Sequence, residues 1–120
     1  MEIKIKRAYE PATAKDGFRV LVDRLWPRGV TKEAAAIDAW EKELAPDTEL
    51  RKWFGHAPEK WTAFQEKYRE ALKKNKLVDQ FIAQHSGKKV ITLIYSAKDE
   101  MHNQALVLQK YLEGKIKKLR

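Results

Sequence analysis

A carboxylate, two guanidinium groups and an indole occur within ten residues of this chain, in the stretch "VLVDRLWPRG" from Val20 to Gly29. Asp23 beside Arg24 is either a base held by a cation or an ion pair that ends a strand, and we predict it as a catalytic residue. Arg28 lies between a proline and a glycine, and a preorganised guanidinium suits bidentate recognition of phosphate or carboxylate. Trp26 can stack on a base or sugar, although core packing is the alternative. We therefore predict ligand contacts from Arg24, Trp26 and Arg28.

A second group lies in "YSAKDEMHN", from Tyr95 to Asn103. Asp99 is the predicted N-cap of the last helix, which places His102 in the first helical turn. The free N–H groups and positive dipole of a helix start suit an anion and disfavour imidazolium. A neutral His102 is therefore the second predicted catalytic residue, with a partly exposed histidine of no chemical role as the alternative. Predicted ligand contacts from this group are Ser96, Lys98, Asp99 and Asn103.

Three apolar segments predict the strands that position these residues. "IKIKRAY" alternates apolar and charged side chains, which is typical of a half-exposed edge strand. "FRVLVDRL" contains the continuous triplet Val20-Leu21-Val22, and "KKVITLIYS" is a β-branched apolar run; both patterns favour strands buried on two faces. Whether the first strand runs parallel to the second is left open, because the connection "EPATAKDG" is short for a helical crossover.

Helical periodicity fills the rest of the chain. We predict one helix capped by Thr31, with Ile37, Trp40 and Leu44 on its apolar face, and a short one capped by Asp47 or Thr48. His56, after that short helix, is predicted to close it rather than to do chemistry. Further helices are predicted around 58–74 and 77–86 and, after the last strand, around 101–114. The predicted fold class is α/β: a single domain, residues 1–120, with a small, mainly parallel sheet flanked by helices.

The predicted sheet brings the two groups of polar residues together. Ligands bind outside the carboxyl ends of the strands in open α/β sheets, and Asp23 and Ser96 both follow such ends. If these strands are parallel, both groups lie on one rim of the sheet. This explains why a buried apolar run continues directly into charged residues: it reaches the surface there.

Composition limits the classes of protein that remain. The chain has 120 residues, no cysteine and 35% charged residues, so disulfides and thiolate metal sites are excluded. No apolar stretch has the length of a signal peptide or a membrane span, and we expect a cytoplasmic protein without membrane contact. No nucleotide-loop, hydrolase or zinc-protease motif occurs, and we predict neither a metal nor another cofactor.

The positive charge is unevenly distributed along the chain. The net charge is +8, and residues 55–120 hold 14 basic and 7 acidic residues. Four of the basic residues lie in "KIKKLR", which we predict as a short basic C-terminal tail, residues 115–120. Such a tail can hold phosphates by counterion release, or it can simply keep the protein soluble.

Two functions from different classes follow from these features. The first is an enzyme or ligand-binding domain for an anionic, nucleotide-like molecule at the rim, with Asp23 or His102 moving a proton if chemistry occurs. The alternative is a nucleic-acid-binding module that uses the basic C-terminal half and tail. Whether the protein is an enzyme, and its oligomeric state, are left open by the sequence, as is a structural or interaction role.

Three segments carry a family resemblance: "DGFRVLVDRLWPRGVTKE", "WEKELAPDTELRKWFGH" and "YSAKDEMHNQALVLQKYL". They resemble the YeaO-like branch of the domain-of-unknown-function family 488 over nearly the whole chain. The resemblance implies a small bacterial α/β protein and supplies no established activity. The wider family often has a cysteine and a CHR-like triplet after the last strand. The matching stretch here, "YSAKDEMHN", has no cysteine, so the resemblance does not support thiol chemistry in this chain.

Overall fold

A four-stranded parallel sheet forms the centre of the protein. In the computed structural model, which describes residues 1–119, the strands are β1 (Glu2–Arg7), β2 (Phe18–Leu21), β3 (Ala39–Trp40) and β4 (Val90–Tyr95). Their order is β1-β4-β2-β3, and every pairing is parallel. The parallel sheet is therefore confirmed. β1 pairs with β4 and not with β2, so the short connection between β1 and β2 does not have to contain a helix.

Four helices cover one face of this sheet. They are α2 (Thr48–Phe54), α3 (Trp61–Lys73), α4 (Leu77–Gln84) and α5 (Gln104–Lys118). Their buried side chains form one core with alternate residues of the strands, including Val20, Ile91 and Leu93. The apolar stripe predicted on α3 supplies Phe64, Tyr68 and Leu72 to this core, with Trp61 at its edge. The α/β fold class is thus confirmed.

The helix predicted from Thr31 to Leu44 was mostly wrong. Thr31 does cap a helix, since its hydroxyl accepts a hydrogen bond from the Ala34 N–H, but this helix, α1 (Lys32–Ala35), has one turn. Ala36 then adopts a left-handed conformation and the chain continues into β3. The apolar spacing that resembled a helix has another cause, because Ile37 and Trp40 pack on the second face of the sheet.

A buried ion pair supports that second face. The Arg19 guanidinium donates to Asp16 at 2.5 Å and to the Ala35 carbonyl at 2.8 and 3.0 Å, and Lys6 donates to Asp16 at 3.1 Å. Burial opposes the charge of Asp16, but hydrogen bonds from Thr13, Lys6 and Arg19 outweigh it and lower the pKa of Asp16 to about 2. This pair joins β1, β2 and α1, so it stabilises the side of the sheet that the long helices leave uncovered.

The C-terminal end of the chain is less free than predicted. Residues 115–118 continue α5, Ile116 packs against the main core, and Lys115 pairs with Asp79 of α4 at 3.0 Å. The predicted tail is therefore largely the last turn of a docked helix; its final residue, Arg120, lies outside the described residues. α5 also contacts the edge strand, because the Gln109 side chain donates to the Ile3 carbonyl at 2.8 Å.

Replacing Gly17 with alanine should destabilise the protein by about 2–4 kcal/mol. Gly17 has a φ of +63°, and an added Cβ would lie 2.4 Å from the Val90 carbonyl oxygen at the start of β4. Gly29→Ala is the matched control, because Gly29 has a φ of +78° with no atom within 4 Å of an added Cβ. It should cost only the backbone term of about 1 kcal/mol. If urea unfolding shows the same loss of unfolding free energy in both variants, the close contact between residue 17 and Val90 does not contribute to it.

Replacing Asp16 with asparagine should cost about 3–5 kcal/mol, because it leaves the Arg19 charge buried without its partner. The pKa of Asp16 is about 2 in the folded protein and 3.8 ordinarily, so its contribution is present above pH 4 and is lost as the pH falls toward 2. Asp16→Asn should lack this acid-dependent loss in unfolding measured between pH 2 and 6. Asp79→Asn, which breaks an exposed pair, should cost less than about 1 kcal/mol.

Candidate functional site

The carboxyl ends of β2 and β4 lie side by side, as the sequence predicted for parallel strands. The Val22 N–H donates to the Ile94 carbonyl at 3.0 Å, so the two segments stay paired just beyond the end of β2. Asp23 directly follows Val22, and Ser96 directly follows the last residue of β4. The Trp40 indole fixes the backbone of Asp23 by donating to its carbonyl at 2.7 Å. The two predicted groups of residues therefore start from one point on the sheet.

Asp23 makes the central contacts of this rim. One carboxylate oxygen, Oδ2, accepts from the Ser96 N–H at 2.9 Å and the Ser96 hydroxyl at 2.7 Å, and Oδ1 accepts from the Gln104 amide. Burial raises the pKa of Asp23, and this effect is opposed by the hydrogen bonds from Ser96 and Gln104 and by the charge of His56. Asp23 thus ties β2 to the end of β4 and to the first residue of α5.

A cleft of about 610 Å³ opens above Asp23. Seven of the nine residues predicted for the site line it: Asp23, Arg24, Trp26, Arg28, Ser96, Lys98 and Asp99. His102 and Asn103 are not among the residues that line it. The loop that carries Ser96 is held from outside the cleft, since Arg7 donates to the Ala97 carbonyl at 2.9 Å.

Four basic side chains, here called the cationic rim, line the cleft: Arg24, Arg28, Arg51 and Lys98. Arg24 is half-buried and tethered, donating to the Pro46 carbonyl at 3.1 Å and lying 3.6 Å from Glu43. The other three are exposed, and within residues 1–119 no hydrogen bond or ion pair engages their charged groups. Asp23 and Asp99 are the only carboxylates among the lining residues, so the cationic charges outnumber the anionic ones.

His102 does not occupy the position that the sequence predicted. α5 starts at Gln104 and its N-cap is Asn103, whose side chain accepts from the Leu106 N–H at 3.0 Å, so His102 precedes the helix. Asp99 instead closes the preceding turn, accepting from the His102 N–H at 3.1 Å and pairing with the His102 ring at 2.9 Å. The hydrogen bond from His102 lowers the pKa of Asp99. The helix-dipole argument for His102 was therefore wrong, because a carboxylate, and not a helix start, is the neighbour of its ring.

His56 is the histidine that lines the cleft. It follows Gly55 at the end of α2 and has a φ of +58°, which is uncommon for a residue other than glycine. Backbone strain of this kind is concentrated at binding and catalytic sites. Sequence reasoning missed His56, Arg51 and Gln104 as cleft residues, and the single local signal was the Gly-His pair after α2.

Two further properties of the described residues bear on what the cleft can hold. Within residues 1–119, no group of three or more His, Asp or Glu side chains is arranged to bind a metal ion. No helix in the same range is long and apolar enough to cross a membrane. The tyrosine and serine hydroxyls of the cleft already donate to the Arg28 carbonyl and to Asp23, which leaves guanidinium, ammonium and imidazole groups as its side-chain donors toward a ligand.

Comparison with known proteins gives the family. Residues 2–120 match the DUF488-N3i model, which is described as "Inactive DUF488-N3 subclade". The chain is 45% identical over 114 residues to "Uncharacterized protein YeaO" of Escherichia coli (strain K12), covering 95% of this chain and 99% of that protein. It is 34% identical over 113 residues to "Uncharacterized protein Rv3073c" of Mycobacterium tuberculosis and to "Uncharacterized protein Mb3100c" of Mycobacterium bovis, covering 94% of this chain and 95% of each relative. No solved structure matches the chain. The chain therefore belongs to the DUF488 family, within its DUF488-N3i subclade, and is a relative of YeaO.

Proposed function

We propose that this protein binds a small anionic, nucleotide-like molecule in the cleft at the carboxyl edge of its sheet. The observation that carries the proposal is the cationic rim: within residues 1–119, the charged groups of Arg28, Arg51 and Lys98 have no partner, and they line the same cleft. Unpaired guanidinium groups are suited to bidentate contacts with phosphate or carboxylate. The size of the cleft is within the range typical of small-molecule sites.

Aromatic side chains support the nucleotide-like part of the proposal. Trp26 is fixed in place, because its indole donates to the Val30 carbonyl at 2.7 Å and its ring packs edge-on against Trp40. Tyr9 is about half exposed at the cleft and donates to the Arg28 carbonyl at 3.0 Å. An aromatic surface can stack on a planar base, and neighbouring cations can contact the phosphate attached to it.

Binding without catalysis is the form of this function that we favour. The subclade is described as inactive, and the chain has no cysteine to serve as a nucleophile. Asp23, the predicted base, is engaged by three donors from Ser96 and Gln104, and such contacts favour its role in holding the rim together. The catalytic roles predicted for Asp23 and His102 are therefore the weaker part of the proposal.

Replacing Arg28 with alanine should weaken the binding of adenosine 5′-monophosphate by about 1.5–3 kcal/mol, or roughly 10- to 100-fold, because a charge-assisted hydrogen bond is lost. Arg69→Ala is the matched control: Arg69 is an exposed arginine on α3 that does not line the cleft, and its loss should leave the affinity unchanged. Calorimetric titration with the nucleotide measures the loss of affinity in each variant, and titration with uncharged adenosine measures how much of the affinity depends on the phosphate. Equal losses in the two variants, or equal affinity for adenosine, would argue against the cleft as an anion site.

The nucleic-acid alternative is supported by the basic end of α5 and predicts a different result. Truncating residues 115–120 is a poor test, because Ile116 packs against the core. We use the double variant Lys117→Gln/Lys118→Gln, which removes two exposed charges from the last turn of α5. If duplex phosphates bind there, the slope of log affinity against log salt should fall by about 1.8, while Arg28→Ala should have only the effect of one lost charge. We expect weak duplex binding that this variant barely alters.

A further inference from the structure

Asp23 places a carboxylate in a cleft whose other charges mostly attract anions. Its two oxygens offer about four lone-pair positions. Ser96 fills two positions on Oδ2 with its N–H and hydroxyl, and Gln104 fills one on Oδ1. Within residues 1–119, one acceptor position on Oδ1 therefore has no donor. A carboxylate acceptor contacts an oxyanion favourably only when that oxyanion itself carries a proton to donate.

We propose that the cleft selects an oxyanion that still carries a proton, namely inorganic phosphate or a phosphomonoester, and rejects the isosteric sulfate. This inference rests on the anion-binding function proposed above. A phosphomonoester loses its last proton near pH 6, so about half of it carries one at pH 6 and roughly a tenth at pH 7. Inorganic phosphate keeps a proton throughout this range, whereas sulfate has none. Sulfate would therefore meet the Asp23 oxygen as an unshielded like charge.

The position of Asp23 makes this selection strong. Its side chain lines the cleft and the residue is 8% exposed, so water screens its charge poorly. Burial also raises the pKa of Asp23, which favours sharing a proton with a bound phosphate. The other charged or titratable groups that face it are the cationic rim, His56 at the end of α2, Tyr68 on α3 and Asp99 after β4.

The main test compares phosphate with sulfate by calorimetric titration at pH 7 and constant ionic strength. The wild-type protein should bind phosphate about 10- to 100-fold more tightly than sulfate, the value of one charge-assisted hydrogen bond. Asp23→Asn should remove the preference, chiefly because sulfate now binds more tightly. The fold can accept this change: the asparagine oxygen still accepts from Ser96, and the Gln104 amide can rotate to accept from the new amide.

Asp79→Asn is the matched control, since it removes the same charge from an exposed residue of α4 that does not line the cleft. It should leave the preference for phosphate intact. A similar loss in both variants would overturn the inference, because overall charge would then explain the preference. Equal affinity of the wild type for phosphate and sulfate would also overturn it and leave the anion site in place. If phosphate, sulfate and adenosine 5′-monophosphate all fail to bind, the proposed function itself falls.

A second measurement needs no variant at Asp23. Between pH 6 and 8, the affinity for adenosine 5′-monophosphate divided by that for sulfate should fall, approaching about tenfold per pH unit as the monoester loses its proton. The same ratio for inorganic phosphate should not fall, because inorganic phosphate carries at least one proton at every pH in this range. Sulfate does not titrate in this range, so dividing by its affinity removes the effect of any protein group that changes charge between pH 6 and 8. A flat ratio for the nucleotide would overturn the selection of a protonated ligand.

Discussion

The hydrogen bonds of the Asp23 carboxylate hold together the three elements on which the site depends. Asp23 lies two residues after the end of β2. Ser96 at the end of β4 and Gln104 at the start of α5 both donate to its carboxylate. Three donors compensate a buried carboxylate for the water it has lost. These hydrogen bonds fix the loop from Ser96 to Asn103 relative to β2, as the Arg7 contact fixes it relative to β1.

The order of the strands determines which residues share this point. β4 lies between β1 and β2, so the last strand in sequence is central in space, and its buried side chains contact both faces. The loops after β2 and β4 consequently meet at one rim, to which α2 adds Arg51 and His56. The match over residues 2–120 shows that the family spans the whole of this arrangement.

The sequence was sufficient for three of the four strands, whereas β3 was predicted as part of a helix. Continuous apolar runs identified β2 and β4 because strands buried on both faces have no polar alternation, and polar residues directly after them identified the cleft. The start of α5 was misplaced because aspartate and asparagine are equally good N-caps, and Asp99 and Asn103 lie one helical turn apart. Gln104, Arg51 and His56 reach Asp23 or its cleft from distant segments, and such proximity leaves no local pattern to detect.

The contact between Gln109 and β1 has a consequence for how the sheet meets other chains. β1 is an edge strand of six residues, and an open edge is a template for intermolecular strand pairing. The Gln109 amide donates to the Ile3 carbonyl at 2.8 Å, and Lys4 places a positive charge along the same strand. An incoming strand would have to displace the glutamine and bury the charge of Lys4. The opposite edge strand, β3, has two residues and offers another strand little backbone to pair with. Both edges of the sheet therefore resist amyloid-like growth.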